Sequence, residues 1–227
     1  MRIGIIVAMG KELALLLPLM DSHEVENKMG CHFHTGRIGW HDIVAMECGI
    51  GKVNAAISTL LMLEEYKPDM VISTGVAGAA DSSINVMDIV VADKISYHDV
   101  WCGPGTKYGQ AAGMPIYFTS DAEISSLLPD NDNMRHGLLC SGDTFIDSIA
   151  KVQEIKSHFP EVLAVDMESA AIAHVCSKKE VPIFCMRVIS DSPGAGHNNA
   201  KQYDDFWSEA PEHTFEIIKE LLNRLKA

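Results

Sequence analysis

Two acidic residues follow apolar, strand-like runs in the last third of the chain. Glu168 comes shortly after the run Val162 to Val165, and Asp191 ends the run that begins at Val181. In open α/β sheets, ligands bind beyond the carboxyl ends of the strands, and both carboxylates are expected there. Glu168 also begins the apolar stripe of a following helix, where the helix dipole favours a carboxylate. It can therefore be either a helix cap or a ligand for a polar group of a substrate.

Five segments that are polar or rich in glycine follow predicted strands in this way. They are Ala8-Met9 with Glu12, Gly75 to Gly78, Ser141 to Ile146, Val165 to Glu168, and Arg187 to Asp191. Each segment alone is equally well explained by a turn or by core packing. Together they provide carboxylates, an aromatic ring, a thioether and an arginine, which suit a sugar joined to a flat heterocycle.

The elements that must position these segments alternate between strand and helix patterns. Predicted strands lie at Arg2 to Ala8, Met70 to Thr74, Asp88 to Ala92 and Gly137 to Ser141, with an antiparallel pair at His32 to Gly36 and Asp42 to Cys48. Predicted helices include Lys11 to Met20, Lys52 to Tyr66, Ser148 to His158 and Pro211 to Leu225. The stretch Ser96 to Pro115 is expected to be irregular. This order predicts a single α/β domain over residues 1–227, with a mixed, mostly parallel central sheet flanked by helices.

Composition and charge exclude several classes of protein. The 227 residues are 47% hydrophobic and carry a net charge of −13, so neither nucleic acid nor an anionic membrane is expected as a partner. No apolar run approaches the ~20 residues that a transmembrane helix requires. The six cysteines show no C-x-x-C spacing, and most lie in apolar runs like reduced core thiols. We therefore expect a cytoplasmic protein.

Motifs for common cofactors and metals are incomplete. The segment Gly49 to Lys52 lacks the earlier glycine and the following Ser or Thr of a phosphate loop. Asn54 occupies the third glycine position of a dinucleotide-binding fingerprint. His32 and His34 would share one face of a strand, but no third metal ligand is evident. We expect neither a cofactor nor a metal.

Taken together, the segments resemble those of the 5′-methylthioadenosine/S-adenosylhomocysteine nucleosidases of the nucleoside phosphorylase family, over nearly the whole chain. The matching motifs are Ile3 to Met9 with Glu12, Gly49 to Val53, Thr74 to Gly78, Tyr97 to Asp99, Ser141 to Ile146, Val165 to Glu168 with Ala170 to Cys176, and Arg187 to Asp191. The resemblance implies hydrolysis of the N-glycosidic bond of 5′-methylthioadenosine, S-adenosylhomocysteine or both, releasing adenine and a 5-thioribose product. It places the reaction in methionine salvage and in the recycling of S-adenosylmethionine by-products.

The resemblance also implies roles for the candidate residues. Glu12 would activate the attacking water, and Asp191 would donate a proton to N7 of adenine. Glu168 would bind the ribose hydroxyls, and Phe145 would stack on adenine. The further substrate-binding residues implied in this way are Met9, Ile50, Val76, Gly78, Ile146, Met167, Arg187, Ser190 and Tyr203.

Two departures from the family pattern concern the substrate. Met9, Ile50 and Tyr203 would line the pocket for the 5′-thio group, and Tyr203 stands where a phenylalanine is expected. Val76 stands where some relatives carry a serine near the attacking water. These differences bear on the range of substrates more than on the type of reaction.

The implied acid and base agree with the chemistry of the bond. Adenine leaves poorly as an anion, so an acid at N7 is required while positive charge builds on the ribose. A second carboxylate must handle water on the opposite face of the sugar, as in inverting glycosidases. Asp191 would therefore start protonated and Glu12 ionised.

Two other functions remain open. A phosphorylase of the same family would use phosphate instead of water and would need an arginine-rich anion site, whereas the loop after the first strand offers Lys11-Glu12. A non-catalytic nucleoside-binding protein would not require both Glu12 and Asp191. Release of adenine with and without phosphate distinguishes these functions.

The irregular stretch bears on assembly. Trp101, Pro104, Met114 and Pro115 are apolar residues in a segment without a predicted strand. Such residues form either a lid or part of a subunit interface. The resemblance implies a homodimer in which this loop completes the neighbour's 5′ pocket.

Overall fold

The computed structural model describes residues 1–129, 131–193, 199–209 and 215–225. The strands are β1 (Arg2–Val7), β2 (His23–Lys28), β3 (Cys31–Ile38), β4 (His41–Glu47), β5 (Met70–Ser73), β6 (Val76–Ala79), β7 (Ile89–Tyr97), β8 (Phe118–Thr119), β9 (Met134–Ser141), β10 (Val162–Asp166) and β11 (Ile183–Asp191). The helices are α1 (Gly10–Leu16), α2 (Lys52–Tyr66), α3 (Ala122–Ser125), α4 (Ile149–His158), α5 (Ser169–Lys179), α6 (Asn199–Glu209) and α7 (Glu216–Arg224). This alternation is the predicted α/β arrangement.

One eleven-stranded sheet forms the centre, in the order β2-β3-β4-β1-β5-β11-β6-β10-β9-β7-β8. The neighbours from β4 through β1, β5 and β11 to β6 all run parallel. Strand β7 pairs antiparallel with β11, so β11, β6, β10, β9 and β7 close into a ring. The antiparallel strands β2 and β3 extend the other edge next to β4. The predicted mixed sheet with a parallel centre is confirmed.

The strand that holds this sheet together is β11. All nine of its residues are buried, as expected for a strand covered on both faces. Ile183 to Cys185 pair with β5, and Val188 to Asp191 pair with β6. The carboxyl end of β11 therefore lies beside β6, close to the connection between β5 and β6.

Small residues let α5 lie close to the sheet and to α2. Ala170, Ala171, Ala173 and Cys176 of α5 are buried in a core cluster that also contains Ala55 of α2. All six cysteines are free, and four of them are buried, which agrees with the prediction that most lie in the core. Within the described ranges, no helix has the length and apolarity to cross a membrane.

Helix α2 has the predicted bounds, but only part of its apolar surface is buried. The sequence makes Ala55, Ile57, Leu60, Leu61 and Leu63 available for burial. Ala55 and Leu63 are indeed buried, whereas Ile57 and Leu60 are exposed. Apolar residues lie on more than one face of this helix, so their spacing alone does not identify the face that packs inward.

A glycine-containing segment and an acidic pair differ from their predicted structures. The segment Gly75 to Gly78 was expected to be a turn, but only Gly75 turns the chain, and Val76 already begins β6. The acidic pair Asp204-Asp205 in the sequence is typical of the solvated start of a helix, but both residues lie inside α6. Both errors arise because short polar or glycine-rich segments carry little periodicity.

The helix bounds near prolines also differ. The predicted helix Lys11 to Met20 ends at Leu16, and Leu17–Leu19 form a 3₁₀ turn that contains Pro18. Proline lacks the N–H that a continuing α-helix requires. The last predicted helix began at Pro211, but residues 210–214 lie outside the described residues, and the described helix begins at Glu216.

Candidate active site

The predicted strand ends meet at one cavity. Its wall contains every predicted site residue except Arg187 and is formed by Ala8, Met9, Glu12, Ile50, Val76, Ala77, Gly78, Thr144, Phe145, Ile146, Val165, Asp166, Met167, Glu168, Ser190, Asp191 and Tyr203. Residues from six strand ends or turns thus converge, as expected for ligands at the carboxyl edge of an α/β sheet. Among the described residues, this wall includes four carboxylates and neither lysine nor arginine.

Glu12 lies near the start of α1 and is held by backbone groups from two segments. Its Oε2 accepts hydrogen bonds from the N–H groups of Ala8 (2.8 Å) and Met9 (2.9 Å), and its Oε1 accepts one from Val76 N–H (2.9 Å). The side chain is almost fully buried, with 1% of the residue exposed. Burial raises the pKa of the Glu12 carboxyl above its usual value, although Arg187 and the three N–H groups act in the opposite direction.

Gly75 makes room for this carboxylate. A Cβ atom at position 75 would lie 2.4 Å from Oε1 of Glu12, and the residue has a φ of +141°. Both the space and the backbone angle therefore exclude a side chain. Glu12 caps its own helix, but the close fit to Gly75 and Val76 shows that the surrounding strands are also built around it.

Asp191 is the last residue of β11 and is 3% exposed. Its Oδ1 accepts a hydrogen bond from the hydroxyl of Ser190 at 2.6 Å. A Cβ atom at Gly78 would lie 3.3 Å from Oδ2 of Asp191, so β6 approaches the carboxylate closely. Val76, which binds Glu12, lies two residues before Gly78, a distance of about 7 Å along a strand. One strand therefore brings Glu12 and Asp191 to the same cavity.

Glu168 is the residue before α5 and is 5% exposed. Its Oε1 accepts a hydrogen bond from the N–H of Gly51 at 2.8 Å. Gly51 is the residue directly before α2. Burial, reinforced by the neighbouring Asp166, raises the pKa of Glu168 to about 7, while Gly51 N–H and Arg187 act in the opposite direction. The carboxyl group of Glu168 is thus poised to change its charge near neutral pH.

Arg187 lies outside the cavity wall, in a buried network. Its Nε donates to Oδ2 of Asp166 at 3.0 Å, and a terminal nitrogen donates to the hydroxyl of Ser73 at 2.9 Å. Asp166 also accepts hydrogen bonds from the hydroxyls of Ser141 and Ser169. The predicted direct contact of Arg187 with substrate therefore has no support in this geometry. The arginine acts on Glu12 and Glu168 through its charge instead.

Asp166 is the functional residue that the sequence interpretation left without a role. It lines the cavity, and it pairs with Arg187, whose charge acts on both Glu12 and Glu168. The available signal was its position at the end of a strand, beside Met167 and Glu168. At this strand end the sequence interpretation chose Glu168, which begins the apolar stripe of the next helix, and gave Asp166 no role.

The mouth of the cavity is apolar. Phe145 and Ile50 are 47% and 54% exposed. The ring of Tyr203 on α6 meets that of Phe145 edge-on, with 6.3 Å between centroids. Its hydroxyl donates a hydrogen bond to Sδ of Met9 at 3.0 Å. Tyr203, which stands where a phenylalanine is expected, therefore links α6 to the loop after β1. This link crosses the part of the site that is predicted to hold the 5′ group.

This fold and site define a class of protein: an α/β protein with paired buried carboxylates in a cavity that also presents an exposed aromatic ring. The chain belongs to the phosphorylase superfamily, whose family model matches residues 2–223. It is 37% identical, over 233 aligned positions that cover 100% of both chains, to the 5′-methylthioadenosine/S-adenosylhomocysteine nucleosidase of Bacillus thuringiensis subsp. konkukian.

Solved structures agree with this assignment. The nucleosidase of the same name from S. pneumoniae, with the transition-state inhibitor MT-ImmA, matches with a TM-score of 0.93 and 39% identity over 100% of both chains. The S-adenosylhomocysteine nucleosidase of Streptococcus pyogenes, in complex with 5-methylthiotubericidin, matches with a TM-score of 0.94 and 34% identity over 100% of this chain and 98% of that one. The family resemblance inferred from the motifs is confirmed.

Proposed function

We propose that the protein hydrolyses the N-glycosidic bond of 5′-methylthioadenosine, S-adenosylhomocysteine or both, and releases adenine and the 5-thioribose product. The observation that carries this proposal is the placement of two buried carboxylates, Glu12 and Asp191, along β6 in one cavity. The similar nucleosidases support the same reaction. It belongs to methionine salvage and the recycling of S-adenosylmethionine by-products.

Glu12 is the proposed base. Three backbone N–H groups fix its carboxylate, so it needs no reorientation to accept a proton from water. Its raised pKa makes it a stronger base than an exposed glutamate. Water activated in this way attacks the anomeric carbon of the ribose.

Asp191 is the proposed acid at N7 of adenine. The hydroxyl of Ser190 donates to Oδ1, which orients the carboxyl group. The backbone of Gly78 leaves space beside Oδ2, where a side chain would crowd the carboxyl group. Protonation of N7 lets adenine leave as a neutral base.

Glu168 is the proposed ligand for the ribose hydroxyls, beside Met167. In its ionised form it accepts hydrogen bonds from hydroxyl groups, and these strengthen as positive charge develops on the sugar. Phe145 offers its exposed face to the adenine ring, and the backbone of Ile146 reads the edge of the base. Met9, Ile50 and Tyr203 provide an apolar end for the 5′-thio group.

Electrostatics favour water over phosphate as the nucleophile. The described cavity wall carries four carboxylates without a lysine or arginine, and the buried cation Arg187 is already paired with Asp166. A phosphate dianion in such a cavity would meet like charge, whereas neutral water would not. This observation weighs against the phosphorylase alternative. A purely binding protein, in turn, has no need for two carboxylates shielded from solvent.

We also propose a homodimer. Val53, Ile57 and Leu60 recur at one face of α2 and are 68%, 54% and 41% exposed, and Trp101 is 61% exposed. Lys52 at the start of α2 binds Asp99, which places the Trp101 loop beside this stripe. A second copy that covers the stripe would close the open mouth of the cavity. Light scattering of the wild type and of Ile57→Glu tests this: a monomeric, fully active wild type refutes it.

A cytoplasmic location is proposed with the function. All six cysteines are free thiols, as in proteins of a reducing compartment. Reaction with a thiol reagent in intact and in lysed cells would measure whether the cysteines are reduced inside the cell. Disulfide-linked protein in intact cells would contradict this location.

The decisive experiment is adenine release from 5′-methylthioadenosine and S-adenosylhomocysteine in phosphate-free buffer. We expect turnover that added phosphate does not change. An obligate need for phosphate, with accumulation of a ribose 1-phosphate, would indicate the phosphorylase. Tight nucleoside binding without adenine release would indicate the binding protein.

A further inference from the structure

Lys52 and Asp99 form an ion pair next to the cavity without lining it. Nζ of Lys52 lies 2.8 and 2.7 Å from the two carboxylate oxygens of Asp99. Their side chains are 20% and 25% exposed, which makes this the most buried lysine ion pair among the described residues. Lys52 is the first residue of α2, and Asp99 follows the end of β7 by two residues.

Asp143 completes this arrangement. Its backbone N–H donates to Oδ2 of Asp99 at 2.8 Å, and its own Oδ1 accepts the backbone N–H of Lys52 at 2.7 Å. Its Oδ2 also lies 3.8 Å from Nζ of Lys52. We name these three residues, Lys52, Asp99 and Asp143, the clasp. Their contacts join segments that are 44 to 91 residues apart in the chain.

The clasp lies between the two parts of the cavity that would hold a nucleoside. Gly51, directly before Lys52, donates its N–H to Glu168. Phe145 follows Asp143 by two residues in a segment without helix or strand. The clasp therefore fixes the turn that contacts the sugar-side carboxylate to the loop that carries the base-side ring.

The start of α2 and the Phe145 loop depend on the clasp for their contact with each other. Helix α2 has no side-chain cap of its own, so its first N–H groups depend on Asp143 and Glu168. At Gly142 the loop packs directly against His98 and Asp99, because a Cβ atom there would lie 2.3 Å from Cε1 of His98 and 2.8 Å from Cγ of Asp99. Without the clasp, the loop would keep the bond from Gly142 N–H to the carbonyl of Asp166 and the bond from Nζ of Lys151 to the carbonyl of Phe145, but it would lose its attachment to α2.

We infer that the clasp is a positioning device, which holds Glu168 and Phe145 at the separation of a ribose and its base. This inference rests on the proposed function, because it matters only if one molecule contacts both walls. With the clasp intact, the loop is ordered before binding, and the substrate does not have to order it. Its loss should therefore weaken binding of the whole nucleoside more than binding of adenine, which contacts only one wall.

The test compares Lys52→Met and Asp99→Asn with the wild type, with Lys52→Arg as the conservative variant. Glu64→Gln is the matched control, since it removes the ion pair of Glu64 with Lys179 elsewhere on α2. We measure kcat and KM for 5′-methylthioadenosine, the calorimetric Kd for adenine, and the melting temperature. The two disruptive variants should raise KM about tenfold, the scale of one charge-assisted hydrogen bond. Their Kd for adenine should rise about threefold or less, and Lys52→Arg should restore part of the loss.

The outcomes separate this inference from the proposed function. Disruptive variants with wild-type KM and adenine Kd overturn the inference, even if their melting temperatures fall, because the clasp would then be structural only. An equal loss for adenine and nucleoside overturns it too, since the two walls would not be coupled. If the wild type releases no adenine, the proposed reaction is wrong, and the Kd of the intact nucleoside then replaces KM in the same comparison. If the wild type binds neither ligand, both proposals fail.

Discussion

At the inner end of the cavity, Glu12 and Asp191 are 1% and 3% exposed, whereas Phe145 and Ile50 at its mouth are 47% and 54% exposed. The inner carboxylates are held by backbone groups and by the neighbouring Ser190 hydroxyl. The mouth is formed by Phe145 and Ile50, which lie outside helices and strands, and by the ring of Tyr203 on α6. The difference separates two tasks: the inner end has fixed groups suited to proton transfer, and the mouth is left for the substrate and a second subunit to cover.

The largest effect is expected at the inner end. Glu12→Gln and Asp191→Asn keep the shape of each side chain but remove the titratable group. Each should lower kcat by ~10²-fold or more, the scale of a positioned acid or base. Nucleoside Kd should change little, because Phe145 and Glu168 remain. Glu47→Gln, at an exposed carboxylate near α1, is the control and should match the wild type. Near-normal turnover in Asp191→Asn would remove the proposed acid.

Glu168 lies between the inner end and the mouth in its proposed task, since it binds the sugar. Its substitution should therefore change both binding and turnover. Glu168→Gln removes the charge that accepts the ribose hydroxyl bonds, so kcat/KM should fall about 10- to 100-fold. In the wild type, kcat/KM should decrease as pH falls below about 7, because the carboxylate becomes protonated. A pH profile that keeps this decrease unchanged in Glu168→Gln would assign it to another group.

The same charge should reduce stability above neutral pH. A carboxyl group with a raised pKa in the folded state stabilises the fold while it is protonated, and this contribution is lost as pH rises through about 7. Glu168→Gln should therefore unfold with a free energy up to about 3 kcal/mol higher than the wild type at pH 8. The difference should shrink towards pH 5. Urea titration at both pH values measures it, and a variant less stable at pH 8 would contradict the buried-charge argument.

At the mouth, the expected effect is on binding. Phe145→Ala removes a stacking surface worth ~1–3 kcal/mol, so KM should rise about tenfold or more while kcat stays near that of the wild type. Phe145→Tyr keeps the ring and serves as the control. A large loss of kcat in Phe145→Ala would show that the mouth and the inner end are not separate in function.

The smallest effect is expected from Tyr203→Phe. The variant loses the hydrogen bond to Sδ of Met9 and makes the proposed 5′ pocket more apolar. The KM for 5′-methylthioadenosine should therefore fall by up to about threefold, within the range of one weak hydrogen bond. Adenosine, with its polar 5′ hydroxyl, should not gain. Equal changes for both nucleosides would place the tyrosine outside the 5′ pocket.

The same division explains what could be predicted from the sequence. Glu12, Glu168 and Asp191 were found because each follows a strongly apolar strand, and strand ends of such sheets converge. Helix α2 was predicted with its correct bounds, since a glycine turn and a long apolar pattern define it. The sequence could not place Arg187 outside the cavity wall, because a strand that is buried on both faces points its side chains alternately to each face. The partner of that arginine, Asp166, became evident only in three dimensions.

The clasp shows a second kind of contact that could not be predicted from the sequence. Gly49 to Lys52 was interpreted as a glycine turn, and that is the local structure. Its Lys52 side chain, however, is paired with a residue 47 positions away, and its backbone N–H with one 91 positions away. Such contacts depend on the order of strands in the sheet. Local pattern carries no information on that order for β11, which inserts between β5 and β6.

The late position of β11 in the chain also affects synthesis. Its partners β5 and β6 are made before residue 80, yet Ile183–Asp191 emerge only after most of the protein has been translated. At ~5–20 residues per second, the ribosome leaves these two strand edges without β11 for several seconds. Contacts of such long sequence separation also form slowly. The nascent chain should therefore stay inactive and prone to edge-to-edge association until β11 is released, and a fragment that ends before residue 183 should not form the cavity.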